Sequence, residues 1–148
     1  MDLVEMSQVT DNELDAAALR AAVSAPDAGA VIVFEGVVRD HDPEAAGAVT
    51  GLEYTAHPEA TSFLREVVAE ANVTMHNQLD AAPLPVRVAA AHRIGALDVG
   101  DVALVVAVSA AHRQEAFSVC SDVVEEIKAR VPIWKLQYGS EGSHWVGI

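Results

Sequence analysis

Basic residues are scarce in this chain. Of its 148 residues, 22 are Asp or Glu and only nine are Lys or Arg, for a formal net charge of −13. Duplex nucleic acid and anionic membranes both demand a broad basic face, so neither is an expected partner. Cysteine is scarcer still. Cys120 stands alone, which excludes an intramolecular disulfide and any cysteine-based metal cluster. Although 51% of residues are hydrophobic, no run approaches the roughly 20 apolar residues of a membrane span. The opening residues Met1, Asp2, Leu3, Val4 and Glu5 are acidic where a secretory signal is basic, so a cytoplasmic protein is expected. The length suits one domain over residues 1–148. His41, His57, His76, His92, His112 and His144 are dispersed, without metal-ligand spacing, and neither a Gly-rich phosphate loop nor a serine nucleophile elbow occurs. No metal and no resident cofactor are expected.

Among so few cations, placement carries information. Both lysines fall within Lys128-Ala-Arg-Val-Pro-Ile-Trp-Lys135, with Pro132 as a helix stop between them. Two readings fit. The ammonium groups converge on one anionic site, or Lys128 only complements a helix C-terminal dipole while Lys135 is a solvated strand residue.

The pattern along the chain predicts an α+β fold with a mainly antiparallel sheet. Thr10 with Glu13 has the form of a capping box, and Leu14, Ala17, Ala18, Ala21 and Ala22 continue as a helical stripe, so a first helix is predicted from Asp11 to Val23. Residues 30–38 read as a buried strand with a bulge or close approach at Gly36. Residues 49–56 read as a second strand, in a hairpin with the first. Between them, the polar segment Asp40 to Gly47 has the composition of a lid. Pro58 suits the first position of a helix running to Asn77, and Ala81 to Pro85 a stiff connector. Residues 86–92 and 101–108 read as two more strands joined through Gly95, Asp98 and Gly100.

The next helix opens at Ser109-Ala-Ala-His112-Arg113, with Phe117, Cys120, Val124 and Ile127 as its core stripe. A basic pair in a first turn is unhelpful to the helix dipole. It makes sense if an anion binds there, where free N–H groups already favour one; otherwise both side chains point to solvent. Beyond Pro132, Ile133, Lys135 and Gln137 share one strand face and Trp134, Leu136 and Tyr138 the other, with Trp134 expected as a core anchor. Residues 139–142 read as a turn before a short ending. Cys120, in mid-stripe, is expected to be buried and inert rather than a nucleophile or sulfur carrier. What remains is a basic set of Arg39, His112, Arg113, Lys128 and Lys135, fit to hold a phosphorylated or carboxylate ligand.

At these residues the chain resembles the large, catalytic subunit of molybdopterin synthase, the MoaE family. The likeness runs from Gly29 to Val146. It rests on Val33-Phe-Glu-Gly-Val-Val-Arg-Asp-His41, His92-Arg-Ile-Gly95, Ser109-Ala-Ala-His-Arg113 with Ala116-Phe117, and Lys128 to Lys135. The resemblance implies an α/β-hammerhead fold, a homodimer, and a heterotetramer with a small ubiquitin-like sulfur-carrier subunit at each end. The carrier's C-terminal thiocarboxylate would give sulfur to cyclic pyranopterin monophosphate, and two transfers would build the dithiolene of molybdopterin.

In this likeness Lys128 and Lys135 match active-site lysines, and Arg39, His112 and Arg113 match positions that hold the substrate's anionic groups. Val37, Val38, Leu136 and Gln137 complete the substrate-binding set. Val37 and Leu136 stand where relatives often carry basic residues, so backbone contacts are expected there. Lys128 is assigned to acyl transfer beside the carrier's terminal glycine, and Lys135 to acid–base work on the cyclic phosphate. His92-Arg93, before a turn, is expected to be structural. Two other function classes stay in view: a non-catalytic anion-binding or assembly module using the same cations, and a stand-alone sulfurtransferase using Cys120.

Overall fold

The computed structural model describes residues 2–41, 48–75, 79 and 82–139, and the backbone of 142–147. Its elements are α1 (Leu3–Met6), β1 (Gln8–Thr10), α2 (Ala16–Val23), β2 (Ala30–Val37), β3 (Val49–Ala56), α3 (Ala60–Ala71), β4 (Thr74–Met75), β5 (Leu84–Pro85), β6 (Arg87–Arg93), β7 (Gly95–Asp98), β8 (Val102–Ala110), α4 (Arg113–Arg130), β9 (Ile133–Gly139) and β10 (Gly142–Gly147). The expected α+β class holds. One sheet has the order β1-β6-β8-β2, a second β10-β9-β3-β7, and β4 pairs with β5. Among the described residues every strand pairing is antiparallel except β1 with β6.

The first sheet is covered on both faces, which is why its strands read as continuous apolar runs. Alternate residues leave a strand on opposite sides. Val88, Ala90, Val106 and Val108 accordingly meet Leu64, Val67 and Val68 of α3 and Ala116, Cys120, Val123, Val124 and Ile127 of α4. Ala89, Ala91, Val105 and Ala107 meet Leu19 and Val23 of α2 on the other side. Each fully buried Val, Leu or Ile contributes about 1.5–3 kcal/mol before chain entropy is counted. Val38, Leu52, Leu97 and Ala103 form a smaller cluster where the two sheets meet.

Several expectations change. The helix expected from Asp11 begins at Ala16, as α2, because the Asp15 carboxylate caps it at Ala18 N–H (3.0 Å), and the short α1 precedes it. Thr10 instead belongs to β1, its carbonyl accepting from Ile94 N–H. The strands at 30–37 and 49–56 form no hairpin: β2 pairs along its length with β8, while β3 pairs with β7 and β9 in the other sheet. The predicted bulge is present, as a register shift between Gly36 and Val37. The strands at 87–93 and 102–110 are antiparallel neighbours as expected. Their connection, however, contains β7, sent across to the second sheet between Gly95 and Gly100, whose φ angles of 94° and 95° suit glycine.

Pro58 precedes α3, which stops at Ala71. There the Asn72 side chain donates to Val68 and Val88 carbonyls and accepts from Val88 N–H, turning the chain into the sheet. Leu84 and Pro85 of the expected connector form β5. His112 is the N-cap of α4 and Arg113 its first residue, since Ser109 and Ala110 still belong to β8. Phe117 leaves the core stripe and is 63% exposed. Trp134 is likewise exposed, because the inward face of β9 is that of Ile133 and Gln137. The segment 142–147 is a strand paired with β9. The suggested lid over Asp40 to Gly47 falls largely on residues 42–47, outside the described residues, as does Asn77.

The start of β2 abuts the start of α4 so closely that a Cβ on Gly29 would lie 2.4 Å from the Ala111 carbonyl oxygen. Gly29→Ala is expected to destabilise the fold by about 1–3 kcal/mol, through overpacking against backbone, measured by denaturant unfolding.

Candidate functional site

Where the two sheets and the end of α4 meet, the fold leaves a cavity of about 390 Å³. From the first sheet and the segment after β2 it takes Phe34, Gly36, Val37, Val38, Arg39, His92 and Leu104. The second sheet contributes Leu52, Tyr54, Lys135 and Gln137, and α4 contributes Ile127 and Lys128. The placement follows from local geometry. Lys128 follows buried Ile127 in the last turn of α4, and the stop after Arg130 turns the chain into β9. Ile133, Lys135 and Gln137 alternate inward there. On β3, Leu52 and Tyr54 stand directly opposite Gln137 and Lys135, so these four residues share the inner face.

The lining is cationic in a strongly acidic protein. Arg39, Lys128 and Lys135 reach it, and no Asp or Glu is among its described lining residues. Other arginines are engaged elsewhere: Arg87 with Asp27, Arg130 with Glu70, Glu126 and Glu66, and Arg65 with the Ser7 and Glu5 carbonyls. Arg39 and Lys128 are exposed at the mouth, Lys135 is half-buried, and Gln137 and His92 are buried. The arrangement can hold an anion against an apolar floor of Leu52, Ala103, Leu104 and Ile127. Screening is weaker at half-buried Lys135 than at the exposed Arg39 and Lys128, so a charge held beside Lys135 gains most.

Of the residues singled out from sequence, the fold brings together Val37, Val38, Arg39, Lys128, Lys135 and Gln137. Leu136 points away from this inner face, and His112 and Arg113 do not line the cavity. Arg113 opens the helix that carries Lys128 near its end. Fifteen residues of helix separate them by about 22 Å, too far for one small ligand within one chain.

Sequence reasoning missed Tyr54 and His41 and read His92 as structural; all three line the cavity. Tyr54 was legible as the inward partner of Lys135 only once the pairing of β3 with β9 was known. His92 is 3% exposed, its Nδ1 lies 2.8 Å from the Arg93 carbonyl, and its ring meets Tyr54 edge-on at 4.9 Å. A carbonyl only accepts, so Nδ1 carries the proton. Burial pushes the imidazole down to about 4, partly opposed by that hydrogen bond. Cys120, by contrast, lines a separate hollow with Ile32, Phe117 and Val124, and burial pushes its thiol up, against a nucleophilic role.

The His92 shift implies a pH effect on stability. The unfolded imidazole takes its proton near 6.5 and the folded one only near 4, so the unfolded state binds more protons between these values. Stability should fall as pH drops from 6.5 towards 4, with His92 contributing at most about 1.4 kcal/mol per pH unit. Urea unfolding at several pH values, for the wild type and His92→Phe, should show a shallower decline in the variant.

Comparison with known proteins places these features in context. The family model described as "MoaE protein" matches residues 9–130. A molybdopterin synthase catalytic subunit 1 of Mycobacterium tuberculosis is 39% identical over 140 residues, covering 95% of this chain and 89% of that protein. The crystal structure of molybdopterin synthase from Staphylococcus aureus superposes with a TM-score of 0.80 at 30% identity, covering 97% of this chain and 98% of that one. A complex of subunits 1 and 2 of molybdopterin-converting factor from Helicobacter pylori shares the fold, with a TM-score of 0.68 at 20% identity and coverage of 95% and 90%.

Proposed function

The chain belongs to the MoaE family, and from that premise we propose that the cavity lined by Lys128 and Lys135 is a sulfur-transfer site. The chain is a catalytic subunit of molybdopterin synthase. A small ubiquitin-like carrier subunit inserts its C-terminal thiocarboxylate tail, and the acceptor is cyclic pyranopterin monophosphate. Two transfers complete the dithiolene of molybdopterin. The observation that carries this reading is the cavity itself, with three cations and no carboxylate among its described lining residues in a protein of net charge −13. Sulfur arrives on the carrier, so this chain supplies no nucleophilic cysteine. Its task is to hold a phosphate, stabilise negative charge as it develops on the carrier's acyl group and on the pterin, and move protons. Lys128, at the mouth, is assigned to the carrier's terminal glycine and acyl transfer; Lys135, deeper, to acid–base work on the cyclic phosphate. Arg39, with Val37 and Val38 beside it, and Gln137 position the anionic substrate.

His112 and Arg113 join this set only from a second copy. β2 is an edge strand: its far side pairs with no described strand. One end of β2 adjoins the start of α4, through Ala30 opposite Ala110. The other end runs into Val37, Val38 and Arg39 of the cavity. The strand spans about 23 Å, matching the separation of Arg113 from Lys128. Antiparallel pairing of two β2 edges about a twofold axis would set each copy's His112 and Arg113 beside the other's Arg39. The reading is thus of a homodimer with two composite sites, a carrier at each end making the heterotetramer. Leu136, on the outer face of β9, contributes backbone only. The whole chain acts as one domain. None of its described helices is long and apolar enough to cross a membrane, in keeping with a cytoplasmic enzyme.

Lys128→Ala should still bind the carrier but form no molybdopterin from thiocarboxylated carrier and pterin precursor. Product formation by that variant defeats the assignment, and binding without turnover by the wild type would favour a non-catalytic assembly module. Composite sites make a second prediction. Lys128→Ala and Arg113→Ala, each impaired alone, should recover about a quarter of wild-type activity when unfolded and refolded together, because half the dimers then carry one intact site. No recovery would place Arg113 outside the site.

A further inference from the structure

Tyr54, missed from sequence, and His92, read there as structural, stand between the sheets at the cavity wall. Tyr54 lies directly opposite Lys135 in the β3–β9 ladder, where paired Cβ atoms sit about 5 Å apart. On its other side β3 pairs Tyr54 with Gly95, which offers no side chain to pack against it. Support comes instead from the other sheet. The His92 ring meets Tyr54 edge-on, at 4.9 Å between centroids and 85° between planes. His92 is held in turn by its Nδ1–H to the Arg93 carbonyl, and its strand by pairing with β8 and β1.

We propose that Tyr54 and His92 are positioning residues for Lys135: the histidine, anchored in the first sheet, fixes the tyrosine ring, and the ring confines the lysine side chain on the second sheet. A free lysine loses about 2 kcal/mol of rotamer entropy when held in one geometry. A rigid ring beside its stem limits the rotamers in advance, so less freedom remains to be lost on reaching the transition state. The neutrality of His92 suits this place, because a further charge there would repel the cations that hold the substrate. The pair also ties the two sheets together at the point where the cavity needs their separation constant. This proposal rests on the reading of Lys135 as a participant in the reaction.

The chain has only two lysines, so reductive ¹³C-methylation gives two side-chain signals besides the N-terminus, assigned with Lys128→Arg and Lys135→Arg. In Tyr54→Leu the Lys135 signal should sharpen and move towards that of a free lysine, while the Lys128 signal stays in place. In the unmethylated holo complex with carrier, kcat should fall about tenfold with KM for the pterin little changed. Tyr54→Phe, which keeps the ring, should hold the Lys135 signal and kcat closer to the wild type than Tyr54→Leu does. His92→Phe, which loses the bond to Arg93, should move the Lys135 signal in the same direction and serves if Tyr54→Leu does not fold. An unmoved Lys135 signal in either folded variant, or equal movement of both lysine signals, overturns the proposal. Wild-type turnover by Lys135→Ala would instead overturn the reading of the cavity, leaving the NMR result to stand.

Discussion

β8 is buried from Ala103 to Ala110, and the elements that carry cavity residues attach to it directly or at one remove. It pairs with β2, which leads to Arg39, and with β6, which carries His92. Its Val106 and Val108 face the core in which α4 buries Val123, Val124 and Ile127, so the helix end bearing Lys128 is placed by the same strand. Ala103, at its beginning, joins Val38, Leu52 and Leu97 and so docks the second sheet. A strand covered on both sides tolerates no register slip, because a slip of one residue exchanges its two faces, and its one buried hydroxyl, Ser109, is satisfied by donating to the Val23 carbonyl. That rigidity lets two sheets and one helix end hold side chains around a common space.

The electrostatics follow from this scaffold. A chain with 22 carboxylates keeps them away from the described cavity lining while satisfying several arginines with acids on the outer surface, as at Arg87 with Asp27 and Arg130 with Glu70. The cavity cations therefore act in a local field opposite in sign to that of the whole molecule. For an anionic substrate and a carboxyl-terminal tail, the local field governs binding, since at physiological ionic strength charges beyond about 8 Å are largely screened. The net charge argues against nucleic acid and membrane surfaces without arguing against a small anion.

Much of the frame was legible from residues. The β-branched runs at 30–37 and 102–110, the bulge at Gly36, the helix ending near Lys128 and the inward alternation of Lys135 and Gln137 all stand in the structure. Misplaced elements share one cause. Thr10 and Glu13 carry a capping pattern, yet Thr10 pairs in a sheet and Asp15 caps the helix. Phe117 and Trp134 have the area of core anchors, yet the core reached from their positions is closed by Ala116, Cys120 and Ile133. In each case a local preference yields to a tertiary contact that local pattern does not encode.

By itself the sequence determined the chemistry available: cations few enough to be counted, two lysines around a helix stop, a single buried cysteine, and motifs that place the chain in its family. Only the tertiary structure decided which of these meet. It drew Arg39, Lys128 and Lys135 into one cavity, set His112 and Arg113 at the opposite end of α4 from Lys128, and brought Tyr54 and His92 to the cavity wall. The reason is that strand pairing between distant segments, β3 with β9 and β2 with β8, sets which side chains face one another. Neither pairing can be read from the residues of one strand alone.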